Sequence, residues 1–225
     1  MDIDPRLLAD TPGFLDPEEG RRLHDLAREA AALGPCLEIG GYCGLSALYL
    51  GTACRERGGI LFSVDHHRGS EEQQPGEEYF DPALFDERSG RVDTFPVFRR
   101  TLEAAGLEDT VVPLVCASRT AARGWAMPLS LIFIDGGHAP ETVLADYRAW
   151  SAHLRPGGYL LIHDLFERPE DGGQGPFRVY TLARESGLFE TRPRTRTLGV
   201  LRRLGGDESP HPFPRAFAES SGSRE

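Results

Sequence analysis

Short apolar runs alternating with segments of helical spacing restrict this chain to an α/β architecture. Residues 36–39, 60–64, 110–116, 129–134 and 159–162 read as strands, and 44–57, 94–105, a short stretch around Ala121, and 140–154 as the helices between them. The second, fourth and fifth runs are almost continuously apolar, as in parallel strands covered by helices on both faces. Strand alternating with helix implies a doubly wound sheet with right-handed crossovers. Pro113 falls inside the third run, and proline has no N–H to give to a ladder, so that strand is expected at an edge. A helix near 177–185 and strands at about 189–192 and 197–201 complete the pattern.

The expected organisation is an N-terminal helical extension (1–34), a main domain (35–204) with an insertion at 66–91, and a Gly-, Pro- and Ser-rich tail (205–225) that reads as disordered. The extension contains a helix that opens at Asp16-Pro17-Glu18-Glu19, with a capping side chain, proline in the first turn and acids behind it. The four cysteines (Cys36, Cys43, Cys54, Cys116) show no paired spacing, which fits reduced thiols. No basic segment leads into an apolar core at the N-terminus, and no apolar run approaches a membrane span. A cytoplasmic protein is therefore expected. The net charge is −10, and no basic face of the kind that holds phosphate backbones is legible. A small-molecule partner is expected, and neither nucleic acid nor membrane.

The loop after the first strand carries the most chemistry. Glu38 is followed by Gly40, Gly41 and Gly44, and the chain then enters a helix. A dinucleotide fingerprint needs glycine where Tyr42 stands, and the spacing is instead E-x-G-x-x-x-G. A carboxylate at the strand end would repel a pyrophosphate but suits an ammonium or hydroxyl group. Alone, such a loop also reads as a plain strand-to-helix turn. Asp65 ends the second strand, placed to accept ribose hydroxyls or to act as a loop cap.

Together, ExGxxxG, Asp65, the FIDGGH segment ending at His138 and the LRPGGYLLIHD segment ending at Asp164 resemble the class I S-adenosylmethionine-dependent methyltransferases, in the branch that includes macrocin-type O-methyltransferases. The resemblance spans about 30–204. It implies seven mostly parallel strands in the order 3-2-1-4-5-7-6, strand 7 antiparallel, with helices on both faces. It further implies that Glu38, Gly40, Gly41 and Gly44 hold the methionine part of the cofactor and Asp65 its ribose. Ser118 would lie near the adenine, or else cap the helix that follows.

Asp135 and Asp164 end the fourth and fifth strands, whose tips would stand about 5 Å apart if adjacent. Two carboxylates so close need a proton or a cation between them. Mg2+ or another divalent cation held by Asp135 and Asp164 is one reading. In the other, Asp135 binds the cofactor's amino group and Asp164 orients a histidine. His138 is the first candidate for the base that takes the acceptor's proton, with His163 and His66 as rivals.

The 66–91 insertion carries seven acids, three arginines and three aromatics, and reads as a lid over the acceptor, a surface loop or a contact in a homodimer. The expected activity is O-methylation of a small-molecule hydroxyl. The alternatives are a metal-independent N- or C-methyltransferase and a non-catalytic cofactor-binding protein.

Overall fold

The computed structural model describes residues 1–205, and the expected disordered tail lies outside them apart from Gly205. Seven strands form the main sheet: β1 (Cys36–Ile39), β2 (Leu61–Asp65), β5 (Val111–Val115), β6 (Leu129–Ile134), β7 (Leu154–Ile162), β8 (Phe189–Thr195) and β9 (Leu198–Arg203). Their order is β5-β2-β1-β6-β7-β9-β8. The first five are parallel, and β9 runs antiparallel to both β7 and β8. This is the expected order, with Pro113 on the edge strand β5 opposite Ser63.

Helices α2 (Pro17–Ala30), α3 (Leu45–Glu56) and α4 (Phe95–Ala105) cover one face; α5 (Ser118–Ala122), α6 (Pro140–Trp150) and α7 (Gly175–Glu185) cover the other. On α2, Leu23, Leu26, Ala27 and Ala30 recur at helical spacing, and all are buried against α3. Each fully buried leucine there contributes about 1.5–3 kcal/mol. The Asp16 carboxylate accepts from the Glu18 amide at 2.7 Å and closes the first turn of α2. The N-terminal segment is thus part of the main core, and it also holds a short helix, α1 (Pro5–Asp10), that the sequence reading missed.

Two other boundaries differ from expectation. Strand β7 begins at Leu154, so Pro156-Gly157-Gly158 lies within the strand and coincides with a register shift against β6. Helix α6 stops at Trp150 and tightens into a 3-10 turn over Ser151–His153. The 66–91 insertion is partly ordered, with two 3-10 turns and the small hairpin β3 (Phe85–Asp86) and β4 (Arg91–Val92). Leu84 and Val92 pack there on Cys43 of the glycine loop, which seats the insertion beside the tips of β1 and β2.

Candidate active site

The carboxyl ends of β1, β2, β5, β6 and β7 open into a cavity of about 550 Å3. Doubly wound sheets bind ligands at this edge. Gly40 turns out of β1 with φ of +96°, and a Cβ there would collide with the Asp135 carbonyl, so only glycine lets the two strand ends approach. Gly44 adopts φ of +100° as the N-cap of α3 and supplies no capping side chain. The first amides of α3 are left open beside Leu45 and Ser46, which line the cavity. Tyr42 and Asp164 also line it in the left-handed region, at φ of 44° and 56°, a strain that clusters at functional sites.

Of the residues singled out in the sequence, Gly40, Gly41, Asp65, His66, Ser118, Asp135, His138, His163 and Asp164 line this cavity. Glu38 and Gly44 do not. Glu38 is fully buried beneath the loop, where one carboxylate oxygen accepts from the Ser46 hydroxyl at 2.8 Å and the other has no hydrogen-bond partner. The reason is that all four residues of β1 are covered, and the strand's alternation turns Glu38 inward. Asp65 ties two loops together, accepting from the Tyr42 amide at 2.8 Å and the His67 amide at 2.6 Å. Ser118 is not a helix cap: α5 is entered at Ala117 without a side-chain cap, and the Ser118 hydroxyl accepts from the Trp150 indole at 2.8 Å.

Burial raises the Glu38 carboxyl to about 7 against the hydrogen bond from Ser46 and the nearby Ser63 hydroxyl, which favour its ionised form. Its folded value lies above its unfolded one. The stability it contributes is complete below about pH 4.5 and is lost as the pH rises through about 7. Relative to Glu38→Gln, the cofactor-free wild type should lose about 3 kcal/mol across that window. Urea denaturation of both proteins from pH 4.5 to 8 measures this, and parallel profiles would contradict it.

At the tips of β6 and β7, acids and imidazoles alternate. His163 is buried, with Nε2 at 2.9 Å from Glu19 Oε2 and Nδ1 at 3.3 Å from Asp135 and 3.2 Å from Asp164. Asp164 Oδ2 also lies 2.7 Å from His138 Nε2, and His138 Nδ1 lies 2.8 Å from Glu72 Oε2 of the insertion. Burial opposes a charge on His163, but the carboxylates, Asp135 foremost, outweigh it and hold the imidazole far above its usual value. Burial likewise opposes charge on Asp164, yet the hydrogen bond from His138 and the adjacent His163 imidazole keep it well below the usual carboxylate range. The hydrogen bond to Asp164, reinforced by Glu72, lifts His138 to about 9. His66 stands apart from this group, half exposed and 3.9 Å from Asp65.

Sequence reasoning missed Glu19, Glu72 and Asp146. Glu19 comes from the first turn of α2, where an acid is explained by the helix dipole alone. Glu72 is one of the insertion's seven acids, and nothing in the sequence distinguishes it. Asp146 did carry a signal: it is an acid on the buried stripe of α6 formed by Val143, Tyr147 and Trp150. Phe14 and Tyr79 meet at 5.3 Å and Phe14 and Tyr42 at 5.9 Å, forming an aromatic group along one wall of the cavity.

This sheet order, with an acid at the tip of β2 and a glycine turn after β1, defines a class I methyltransferase fold. A family model described as a methyltransferase domain matches residues 37–165, and the chain belongs to that family. Among solved structures, the chain is similar to cofactor-bound Rv0187 from MTB, at 18% identity over 90% of this chain and 92% of that one, with a TM-score of 0.64. It is also similar to the O-methyltransferase TomG from Streptomyces achromogenes, solved with S-adenosylmethionine, at 20% identity, 85% and 82% coverage and a TM-score of 0.55. A rRNA methylase from Streptococcus thermophilus shares the fold at 12% identity, 86% and 100% coverage and a TM-score of 0.55. The protein is therefore a methyltransferase with the class I fold.

Proposed function

We propose that the chain methylates a hydroxyl oxygen of a small molecule. The reading rests on the alternation of Asp135, His163, Asp164 and His138 along one wall of the cavity, with the aromatic group Phe14, Tyr42 and Tyr79 also bordering it. Methyl transfer from a sulfonium needs alignment, exclusion of water and removal of the acceptor's proton. The glycine-loop backbone, Asp135 and Asp65 would hold the cofactor, Asp135 taking its amino end and Asp65 its ribose. Asp164 orients His138 through Nε2. An acceptor hydroxyl that takes the place of Glu72 then meets Nδ1 and gives up its proton there. Withdrawal of Glu72 also removes one of the two carboxylates that keep His138 protonated. TomG, an O-methyltransferase, supports oxygen as the acceptor atom. The rRNA methylase shows that the fold alone does not choose the acceptor. The net charge of −10 favours a small molecule over a polyanion.

The residues at the strand tips fit a divalent cation. One ligand atom each from Asp135, His163 and Asp164 lies within 4.8 Å of the others. His163 Nδ1 is buried without a hydrogen bond of good geometry, while Nε2 faces the Glu19 carboxylate, as in carboxylate–histidine–metal arrangements. Such a cation would polarise the acceptor oxygen and lower the pKa of its hydroxyl. An imidazole in the set favours a softer ion such as Mn2+ over Mg2+. A second reading has its own observation: Nδ1 stands between two carboxylates, so an imidazolium there neutralises both without a metal. Turnover of an acceptor, read as S-adenosylhomocysteine formed with and without EDTA, separates them. Loss reversed by Mn2+ supports the metal, and full activity in EDTA removes it. No S-adenosylhomocysteine with any hydroxyl acceptor in a broad screen, but product with amines, would sink O-methylation.

A further inference from the structure

The aromatic group along the cavity wall is assembled from three separate segments. Phe14 comes from the stretch between α1 and α2, Tyr42 from the glycine loop and Tyr79 from the insertion. Phe14 is 61% exposed and Tyr79 41%, yet the backbone holds each in place. Gly13 lies so close to the start of α3 that a Cβ there would stand 2.8 Å from the Leu45 side chain. Leu15 packs on the core, and Phe14 between them is turned outward. Tyr42 is fixed through its amide, which donates to Asp65 at 2.8 Å, and Tyr79 through its amide, which donates to the Glu72 carbonyl at 3.1 Å. The Phe14 ring meets Tyr79 edge to face at 75° and Tyr42 at a tilt of 37°. The three rings thus form a corner and not a flat stack.

Charge says what such a corner takes. Among the described residues, five carboxylates line the cavity against one guanidinium, that of Arg119 on α5. A cleft lined by one sign of charge concentrates ligands of the other. The faces of aromatic rings are electrostatically negative as well, and they hold ammonium groups, quaternary ones included. The insertion adds one more carboxylate to this wall. Glu72 shares a backbone hydrogen bond with Tyr79, so when an acceptor displaces its side chain from His138 it stays beside that ring. A cationic acceptor gives the displaced carboxylate a partner in place of the imidazole it leaves.

We propose that Phe14, Tyr42 and Tyr79 form a subsite for a positively charged group of the acceptor, a quaternary or protonated amine on the molecule that carries the hydroxyl. The inference rests on the reading that the cavity takes a small-molecule acceptor. Choline and 3,3-dimethylbutanol separate charge from shape, because both are alcohols of nearly equal size and only choline is a cation. Titrated by NMR into the full-length protein saturated with S-adenosylhomocysteine, choline should bind about 3- to 30-fold more tightly. Phe14→Leu and Tyr79→Leu keep apolar bulk but remove a ring, and each should shrink that advantage, whereas Tyr79→Phe should keep it. The exposure of both side chains spares the core from these changes. An advantage below about twofold, or no saturation by choline at about 50 mM, overturns the proposal. So does an advantage that survives both leucine variants, since it then belongs to the carboxylates alone. Binding is read without turnover, so the two readings fail separately. Methylation of hydroxyl acceptors with no preference for cations sinks the subsite alone; choline held at the rings while only amines are methylated sinks O-methylation alone.

Discussion

His138→Ala is expected to lower turnover about 10²- to 10⁴-fold while the dissociation constant for S-adenosylhomocysteine moves less than about twofold. The split follows from position. His138 leaves the tip of β6 two residues beyond the glycine that flanks Asp135, and its ring bridges Asp164 and Glu72 rather than the glycine loop. Removing it takes away the proton acceptor but leaves Gly40, Asp65 and Ser118 where they are. The two carboxylates that clasp the ring raise it to about 9, so at neutral pH most of it is protonated and cannot act as a base. The rate should therefore rise with pH toward about 9, and Glu72→Gln should move that limb to lower pH by removing one of the carboxylates that hold the proton. Stopped or quenched assays of wild type, Glu72→Gln and His138→Ala between pH 6 and 10 measure this. Unchanged turnover in His138→Ala would remove the residue from proton transfer.

The strands of the main sheet were legible as short, largely apolar runs and Pro113 pointed to an edge for β5, whereas their full order was implied only by the family resemblance. Gly40 and Gly44 were legible as turn residues for the same local reason, a backbone that needs positive φ. The burial of Glu38 was not legible because a strand-end acid looks the same in sequence whether it borders a cavity or the covered side of a four-residue strand. The start of β7 was missed because proline and glycines ordinarily signal a turn, whereas here they occupy an irregular stretch of strand beside β6. The partners of the histidines were beyond reach for a different reason. Glu19 and His163 are 144 residues apart, and Glu72 and His138 are 66 apart. Local pattern carries no information on such pairs; only the packing of α2 and the insertion against the sheet brings them together.

Glu19→Ala is expected to cost about 3–5 kcal/mol of stability, the penalty for leaving a buried charge without its partner. Glu19 is 2% exposed and faces His163 Nε2 with one oxygen. The other oxygen accepts from the Thr197 amide at 2.7 Å, the Thr197 hydroxyl at 2.8 Å and the Leu198 amide at 3.1 Å. One carboxylate thus joins α2, the tip of β7 and the turn into β9, and alanine orphans four donors at once. Burial works against its charge, but the hydrogen bond and charge of His163 win and lower its pKa, so its contribution is present above the unfolded value and fades as the pH falls through the folded one. Glu19→Gln keeps an acceptor for the amides without the charge and should fall between wild type and alanine. The pairing itself is read from a double-mutant cycle with His163→Ala: once the imidazole is gone, removing Glu19 should cost clearly less. If the two losses simply add, Glu19 serves only the turn into β9, and the histidine at the site is held by Asp135 and Asp164 alone.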